Sequence, residues 1–371
     1  MTTIPQVYRR PGQTNGGVTF LEKLDLIPAI FSIVCTLFRQ LLSGPFRGER
    51  GTNSYRHHVT HGVVRKFNNR LTTSQWHYIS KPFRTHYQSY CKVNSLTPQV
   101  TKLKNGTEAF WIGSPTSKRV IVYFHGGGFS LDGGPEHLKF WGDLVRNLNA
   151  DSPQSVAILF LAYTLVPYAT YPTQISEAVE VLKHLFQDMG RSPSTISLGG
   201  DSAGANMCVA VLSHLLHPCP ELPSLSVKEP LNSLILVGPW ISFRVDFESG
   251  KYNATRDIIS ISNGRKWSTA YMNGAPPTPY AEAFNADPGW WKGAETKVKH
   301  VLCVAGSDEL LIDVIKLWVE KYKSETPEGH LELVVGRHEA HIAPIFEPLL
   351  GDSSPTQQGE AVKAFLKAKV L

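Results

Sequence analysis

Short apolar runs separated by glycine-rich turns recur along most of the chain. The β-branched and aromatic run at 120–124 (VIVYF) is typical of an interior strand, and similar apolar runs follow at 196–198, 301–305 and 331–335. Residues 203–216 (AGANMCVAVLSHLL) instead predict a buried helix that is rich in small side chains. This alternation of strands and helix predicts an α/β fold with a mostly parallel, doubly wound sheet.

A Gly-x-Ser-x-Gly turn stands between the strand at 196–198 and the predicted helix. In residues 200–204 (GDSAG) the two glycines let the strand and the helix approach without Cβ clashes. Such a turn holds its serine in a strained backbone conformation at a helix N-terminus, where the helix dipole favours negative charge. The motif therefore predicts that Ser202 presents a nucleophilic hydroxyl.

A second glycine motif, HGGGF, begins where the strand at 120–124 ends. It opens with His125 and Gly126, and it continues with Gly127 and Gly128. Because these glycines have no Cβ atom, the N–H groups of Gly127 and Gly128 can point at a developing oxyanion. The N–H group of Ala203 would be the third donor, so the two motifs together predict an oxyanion hole beside Ser202.

A serine nucleophile needs a base, and the base needs an acid to orient it. Asp308 follows the end of the strand at 301–305, which makes it the expected acid. Glu309 and Asp313 are alternatives, although Asp313 lies about one helical turn further on and is more simply explained as a helix-surface acid.

Two histidines compete for the role of the base. His341 has apolar neighbours and Pro344 nearby, which would fix its loop against the body of the protein, whereas His338 stands between Arg337 and Glu339 and looks more solvated. We favour His341. The chain order serine, acid, histidine is that of α/β-hydrolases and differs from the orders in chymotrypsin-like and subtilisin-like proteases.

These motifs resemble those of the hormone-sensitive-lipase-like branch of the α/β-hydrolases, which includes fungal carboxylesterases and steryl acetyl hydrolases. The similarity covers roughly residues 118–345, and it rests on four stretches: HGGGF at 125–129, YTLVP at 163–167, GDSAGA at 200–205 and GSDEL at 306–310. The first and third stretches together are highly specific for that branch.

The resemblance implies an α/β-hydrolase fold with a helical cap and the activity of a serine carboxylesterase. It assigns Ser202 as nucleophile, Asp308 as acid and His341 as base, and it implies no cofactor. Two other functions stay open: a non-hydrolytic enzyme that performs acyl transfer or cyclisation, and a ligand-binding pseudo-hydrolase, which would be expected to lack part of the triad.

The chain is longer than one hydrolase domain of roughly 250 residues requires. We expect residues 106–371 to form the catalytic domain, with a cap insertion at about 240–295, and residues 1–105 to form an N-terminal cap and membrane-associating segment. The insertion is rich in aromatic residues, which favours a lipophilic ester as substrate. Four of them are expected to line the substrate pocket: Trp240, Phe243, Trp267 and Tyr271.

Positive charge is concentrated near the N-terminus. Residues 1–120 hold 17 Lys and Arg against 4 Asp and Glu, whereas the rest of the chain holds 20 against 27. The same region contains an apolar, charge-free stretch at 26–38, which is shorter than the about 17 to 25 residues of a membrane-spanning helix. We therefore expect residues 21–42 to form an interfacial helix that contacts a membrane surface. No recognition motif accompanies the charge, so nucleic acid is not an expected partner.

The cysteines and histidines favour an intracellular protein without a metal. The five cysteines are scattered, and Cys208 and Cys303 are expected to be buried thiols. His338 and His341 have no third ligand in a recognisable motif, and His57, His58 and His61 are expected to be surface or cap residues. The expected location is intracellular, either peripheral to or anchored at the endoplasmic reticulum membrane.

Overall fold

The computed structural model of the protein describes residues 17–49, 51–244 and 246–371. Within these ranges the strands are β1 (Val100–Lys102), β2 (Glu108–Ile112), β3 (Arg119–Phe124), β4 (Val156–Ala162), β5 (Ile196–Asp201), β6 (Leu231–Val237), β7 (Val298–Gly306) and β8 (Leu331–Gly336). The α-helices are α1 (Phe20–Ser43), α2 (Tyr55–Arg70), α3 (Thr73–Ile79), α4 (Phe83–Val93), α5 (Pro135–Leu148), α6 (Thr173–Lys183), α7 (Ala203–Leu216), α8 (Ser249–Tyr252), α9 (Ile261–Met272), α10 (Ile312–Lys323), α11 (Ala343–Phe346) and α12 (Gln357–Phe365).

The strands form one sheet in the order β1-β2-β4-β3-β5-β6-β7-β8. Strand β2 is antiparallel to both of its neighbours, and all pairs from β4 to β8 are parallel. The predicted α/β-hydrolase fold with a mostly parallel sheet is confirmed. The sheet begins at Val100, a few residues before the boundary expected at residue 105, because β1 pairs with β2.

Helices cover both faces of the sheet, which explains why its interior strands are apolar without interruption. Successive side chains of a strand point to opposite faces. In β3, Val120 and Val122 pack on the side of α6, α7 and α10, whereas Ile121 and Tyr123 pack on the side of α4, α5 and α12. The sheet is therefore doubly wound. Cys208 and Cys303 are fully buried free thiols, as expected.

Two segments lie outside this sheet and its helices. Helices α1 to α4 precede the first strand, and α8 and α9 lie in the connection between β6 and β7. Trp76 of α3 and Trp267 of α9 both line the cavity at the carboxyl end of the parallel strands. Each segment thus contributes a wall to the candidate site.

Helix α1 is longer than the charge-free sequence stretch indicated. It begins with a capping box between Thr19 and Glu22, and it is long and apolar enough to cross a membrane by length and composition alone. The expectation that this segment is too short to span a membrane is therefore corrected. The helix continues beyond the charge-free stretch at both ends and includes the charged residues there. Only a narrow face of α1, with Ala29, Ile33 and Gln40, is buried. Most of the large apolar side chains of the helix are exposed.

Candidate active site

Ser202 occupies a tight turn between β5 and α7. Its φ of +51° lies in a region that a residue with a side chain rarely adopts. The backbone N–H of Ser202 donates to the carbonyl oxygen of Val237 at 2.9 Å, which fixes the turn against β6. A Cβ atom on Gly204 would overlap the backbone oxygen of Phe124, so only glycine lets α7 start this close to β3. The sequence prediction of a strained strand-to-helix turn at Ser202 agrees with this geometry.

The glycine loop after β3 lies beside Ser202. Gly127 and Gly128 have φ values of +104° and +59°, and a Cβ atom on Gly128 would lie 2.6 Å from the indole ring of Trp267. Among the described residues, no protein atom accepts a hydrogen bond from the N–H groups of Gly127, Gly128 or Ala203. Three donors of this kind could bind an oxyanion.

A buried carboxylate joins the glycine loop to the serine turn. Asp201 accepts hydrogen bonds from the hydroxyl of Tyr123 at 2.6 Å, from the backbone N–H of Gly126 at 2.9 Å and from Nε2 of His137 at 3.4 Å. Burial alone would lower the pKa of His137, but the charge of Asp201 and the hydrogen bond to it raise that pKa to about 10. Neither Asp201 nor His137 was expected from the sequence. The Gly-x-Ser-x-Gly motif leaves the position before the serine unspecified, and His137 lies outside both glycine motifs.

His341 is oriented by Glu309 rather than by Asp308. Nδ1 of His341 lies 2.9 Å from Oε2 of Glu309, and both side chains are buried. Asp308 points elsewhere, with its carboxylate 3.6 Å from the guanidinium of Arg256. The predicted acid, Asp308, is therefore not the carboxylate that contacts His341. Neighbouring residues of the turn after β7 point in different directions, so the distance of Asp308 from the strand end did not predict its orientation.

The other candidates from the sequence lie away from this pair. His338 is exposed, and its backbone N–H donates to the hydroxyl of Ser307. The carboxylate of Asp313 accepts from the backbone N–H of Ser249 at 2.7 Å and from the hydroxyl of Tyr252 at 2.9 Å. Asp313 therefore holds α8 against α10 and does not contact His341.

Another buried carboxylate, not expected from the sequence, holds the loops of His341 and Glu309 in place. Asp257 is fully buried in the connection between β6 and β7. Its Oδ1 accepts from the backbone N–H of His341 at 3.1 Å, and its Oδ2 accepts from the backbone N–H of Leu310 at 2.7 Å. Asp257 therefore fixes the loop that carries His341 relative to the loop that carries Glu309.

The environment of His341 suits a proton carrier. Burial alone would lower the pKa of His341, but the hydrogen bond and the negative charge of Glu309 outweigh it and hold that pKa above its ordinary value. Nε2 of His341 is buried and has no hydrogen-bond partner within the part of the chain that the structure describes. It lines the same cavity as Ser202, so a hydroxyl, an imidazole and a carboxylate are available together.

Two cavities meet at the serine. The larger has a volume of about 290 Å³ and the smaller about 40 Å³, and both are lined by Ser202, Gly128 and Trp267. His341 lines only the larger cavity. Ser202 therefore borders two cavities of different volume, and the imidazole of His341 lines the larger one.

The four aromatic residues predicted to line the pocket divide into two pairs. Trp267 lines both cavities and Trp240 lines the smaller one. Phe243 and Tyr271 line neither cavity. Tyr271 stacks on Phe129 with 3.8 Å between ring centroids, and Phe243 packs edge-on against Trp240. These two residues therefore pack against other aromatic rings and do not line the pocket. The sequence could not distinguish the two cases, because aromatic residues can form a core as readily as a pocket.

Comparison with known proteins identifies the family. A family model of steryl acetyl hydrolases matches residues 73–351, which include all the residues discussed for the site. The chain belongs to the steryl acetyl hydrolase family. This match confirms the resemblance drawn from the four sequence stretches.

Two individual relatives of this steryl acetyl hydrolase family member are each less than 30% identical to it over the matched residues. An acetyl-hydrolase of Streptomyces hygroscopicus is 27% identical over 197 residues, which are 53% of this chain and 58% of the relative. An esterase of Acinetobacter venetianus is 28% identical over 225 residues, or 60% of this chain and 67% of the relative. The chain therefore spans less than two thirds of the Streptomyces protein. A crystal structure of an esterase from the bacterial hormone-sensitive lipase family superposes with a TM-score of 0.65 at 24% identity, covering 86% of this chain and 99% of the other.

The pairing of His341 with Glu309 predicts how the imidazole titrates. In the wild type we expect NMR titration of labelled histidine to give a pKa for His341 above the ordinary value, because the protonated ring is stabilised by Glu309. Glu309→Gln removes the negative charge and should lower that pKa, whereas Asp308→Asn should leave it nearly unchanged. A larger decrease in Asp308→Asn than in Glu309→Gln would contradict the assigned pair.

Proposed function

We propose that the protein is a serine carboxylesterase that hydrolyses a lipophilic ester. The observation that carries this proposal is the position of His341. One ring nitrogen, Nδ1, contacts the buried carboxylate of Glu309. The other, Nε2, has no hydrogen-bond partner among the described residues, and the imidazole lines the cavity of Ser202. Membership of the steryl acetyl hydrolase family and similarity to an acetyl-hydrolase and an esterase support the same reaction class.

In the proposed reaction, Ser202 is the nucleophile and His341 the general base. The hydroxyl gives its proton to Nε2 of His341 and its oxygen attacks the ester carbonyl. The N–H groups of Gly127, Gly128 and Ala203 would bind the oxyanion. Glu309 stabilises the imidazolium, which then protonates the leaving alcohol, and a water molecule attacks the acyl-enzyme in the second half of the cycle.

The two cavities support an ester with a small acyl group and a large alcohol. The imidazolium protonates the leaving alcohol, so the alcohol must leave on the side of His341. His341 lines the cavity of about 290 Å³, which would hold the alcohol, whereas the acyl group would enter the cavity of about 40 Å³. The smaller volume favours an acetyl group.

The walls of the larger cavity favour an apolar alcohol. Large apolar side chains from the cap, the insertion and the loop after β8 contribute to it: Trp76, Ile258, Ile259, Phe346 and Leu349. We propose a bulky apolar alcohol, either sterol-like or of a secondary metabolite. Burial of such a skeleton would contribute roughly 25 cal/mol per Å² to binding.

Substitution of the proposed triad tests the reaction. With aryl acetate substrates we expect Ser202→Ala and His341→Ala to lower kcat/KM at least about 10⁴-fold, because the nucleophile or the base is lost. Glu309→Gln should lower it roughly 10³- to 10⁴-fold, as expected for loss of the orienting charge.

Two matched variants serve as controls in the same assay. Asp308→Asn and His338→Ala should each retain activity within about tenfold of the wild type. If His338→Ala abolishes activity while His341→Ala does not, the role of base belongs to His338. If the wild type hydrolyses no short-chain or medium-chain aryl ester, the proposed activity is wrong.

Enlargement of the smaller cavity should change the preferred acyl chain. Phe247 lines this cavity, and Phe247→Ala should raise kcat/KM for a hexanoyl ester relative to an acetyl ester by about tenfold or more. Phe284→Ala is the matched control, because Phe284 packs edge-on against Phe247 without lining either cavity. An unchanged preference in Phe247→Ala, or an equal change in both variants, would show that the acyl group binds elsewhere.

We also propose that α1 contacts a membrane surface at the cytoplasmic face of the endoplasmic reticulum. The helix is docked on the protein: Arg70 of α2 forms an ion pair with Asp25, and the hydroxyl of Tyr55 donates to the backbone oxygen of Leu41 at 3.0 Å. Because α2 is mainly polar, a helix docked along it would lie in the interface rather than cross the bilayer. Its exposed apolar side chains, such as Phe31 and Phe38, would enter the lipid.

Vesicle flotation tests this membrane contact. The wild type should float with vesicles of phosphatidylcholine and phosphatidylserine and should be released by alkaline carbonate, as an interfacial helix would be. The double variant Phe31→Asp with Phe38→Asp should bind at least about tenfold more weakly, whereas Val93→Asp, at an exposed apolar position outside α1, should bind like the wild type. Resistance to carbonate would indicate a spanning helix, and unchanged binding of the double variant would exclude α1 as the contact.

A further inference from the structure

Four side chains from two distant parts of the chain meet beside the cap. His57 and His61 lie one turn apart on α2, and their rings are stacked with 5.0 Å between centroids. Nε2 of His61 lies 2.8 Å from Oε1 of Glu347, and Nε2 of His57 lies 3.3 Å from Oε2 of Glu347. Nε2 of His57 also lies 3.1 Å from Oδ2 of Asp352. The donor atoms of His57, His61 and Glu347 thus all lie within 4.8 Å of one another, and the carboxylate of Asp352 lies beside His57.

The surroundings of these groups fix their orientation. Nδ1 of His61 lies 2.7 Å from the backbone oxygen of Arg256, so Nδ1 carries a hydrogen and donates it. In the neutral ring Nε2 then has a lone pair that points at Oε1 of Glu347, which is also an acceptor. The backbone N–H of Ser354 donates to Oδ1 of Asp352 at 3.0 Å and leaves Oδ2 facing His57. Backbone partners of this kind orient the ligands of metal ions.

We propose that His57, His61, Glu347 and Asp352 bind a divalent transition metal ion, with zinc as the best match. Two histidine nitrogens and two carboxylate oxygens form a donor set that zinc accepts in tetrahedral geometry, at about 2.0 Å from each ligand. Ligand atoms in such a tetrahedron lie about 3.3 Å from one another. The separations of 2.8 Å between His61 and Glu347 and 3.3 Å between His57 and Glu347 are close to that value, and the donor atoms of these three side chains all lie within 4.8 Å of one another. Oδ2 of Asp352 lies 3.1 Å from Nε2 of His57, so it would approach the ion from the side of His57 as the fourth ligand.

Burial and access both suit a metal ion. The side chains of His61 and Glu347 are 2% and 6% exposed. Within the described ranges Oε2 of Glu347 accepts no hydrogen bond, and Nε2 of His57 lies 3.3 Å from it. His57 and Asp352 are about one fifth exposed, and they line a groove of about 210 Å³. The groove gives an ion a path from solvent to the buried half of the cluster.

The position of the cluster gives the metal a structural role. It would join α2 of the cap to the segment that follows His341, because Glu347 comes directly after α11. Arg256, whose backbone oxygen accepts from His61, precedes the Asp257 that holds the loops of His341 and Glu309. A bound ion would therefore clamp the cap to the loops of the candidate active site.

Metal binding to the intact protein tests the proposal. After treatment with a chelator, the full-length protein should bind one Co²⁺ per chain, with the visible absorption of a tetrahedral site, and Zn²⁺ should displace it. Zn²⁺ should also raise the midpoint of thermal unfolding by at least about 3 °C, because it binds only the folded state.

Variants on and beside the cluster give the test its specificity. His57→Gln and Glu347→Gln should each weaken Co²⁺ binding at least about 100-fold and should abolish the shift with Zn²⁺. His58→Gln is the matched control, because His58 lies on the same helix but contacts Ser43 instead of the cluster. Circular dichroism checks that each variant is folded.

Two results would overturn the proposal. If the wild type binds no stoichiometric metal and its thermal midpoint does not change with Zn²⁺, the cluster is a network of ion pairs that contains a protonated histidine. If folded His57→Gln and Glu347→Gln bind Co²⁺ like the wild type, the metal is held elsewhere. The thermal measurement does not depend on esterase activity, so this test is independent of the proposed reaction.

Discussion

At Ser202 the backbone turns with φ at +51°, and this turn constrains the elements around it. A residue in a regular strand or helix could not expose a side chain at this place, because neighbouring strands would cover it. The turn needs glycine at position 204 so that α7 can approach β3. It also brings Asp201 under the glycine loop, where the carboxylate accepts from the backbone N–H of Gly126. Ser202 and the glycine loop are therefore positioned by one local geometry.

The other half of the site depends on loops that the sheet brings to the same edge. Strands β5, β7 and β8 are parallel, so the turns that follow them all lie at their carboxyl ends. Such loops need additional support because their backbone groups are not paired within the sheet. Asp257 supplies it from the cap insertion by accepting from both loops. The connection between β6 and β7 therefore supports the loops of His341 and Glu309 and also contributes Trp267 to the cavity wall.

The sequence predicted the features that short segments determine by themselves. Strands β3, β5, β7 and β8, the helix after Ser202 and the glycine loop follow from local composition, because apolar runs and glycines have strong backbone preferences. The choice between Asp308 and Glu309 could not be made in this way, since it depends on how a turn directs neighbouring side chains. The motif Gly-Ser-Asp-Glu contained both acids, and only the contact with His341 distinguishes them.

Long-range partners were the other feature that the sequence did not reveal. Asp257 contacts His341 across 84 positions of the chain, and His61 contacts Glu347 across 286. The spacing of His57 and His61, four residues apart on a helix, was a signal for paired ligands. Its carboxylate partners had no recognisable spacing, so the histidines were expected to be surface or cap residues. The extent of α1 was also not evident from the sequence. The charge-free stretch covers only residues 26–38, whereas the helix runs from Phe20 to Ser43.

Covalent labelling with an alkyl phosphonate, followed by mass spectrometry of the intact protein and its peptides, tests whether Ser202 is a nucleophile activated by His341. We expect one adduct per chain on the peptide that contains Ser202, no adduct in Ser202→Ala, and much slower labelling in His341→Ala. An unlabelled wild type, or an adduct on another residue that persists in Ser202→Ala, would show that Ser202 is not the activated nucleophile.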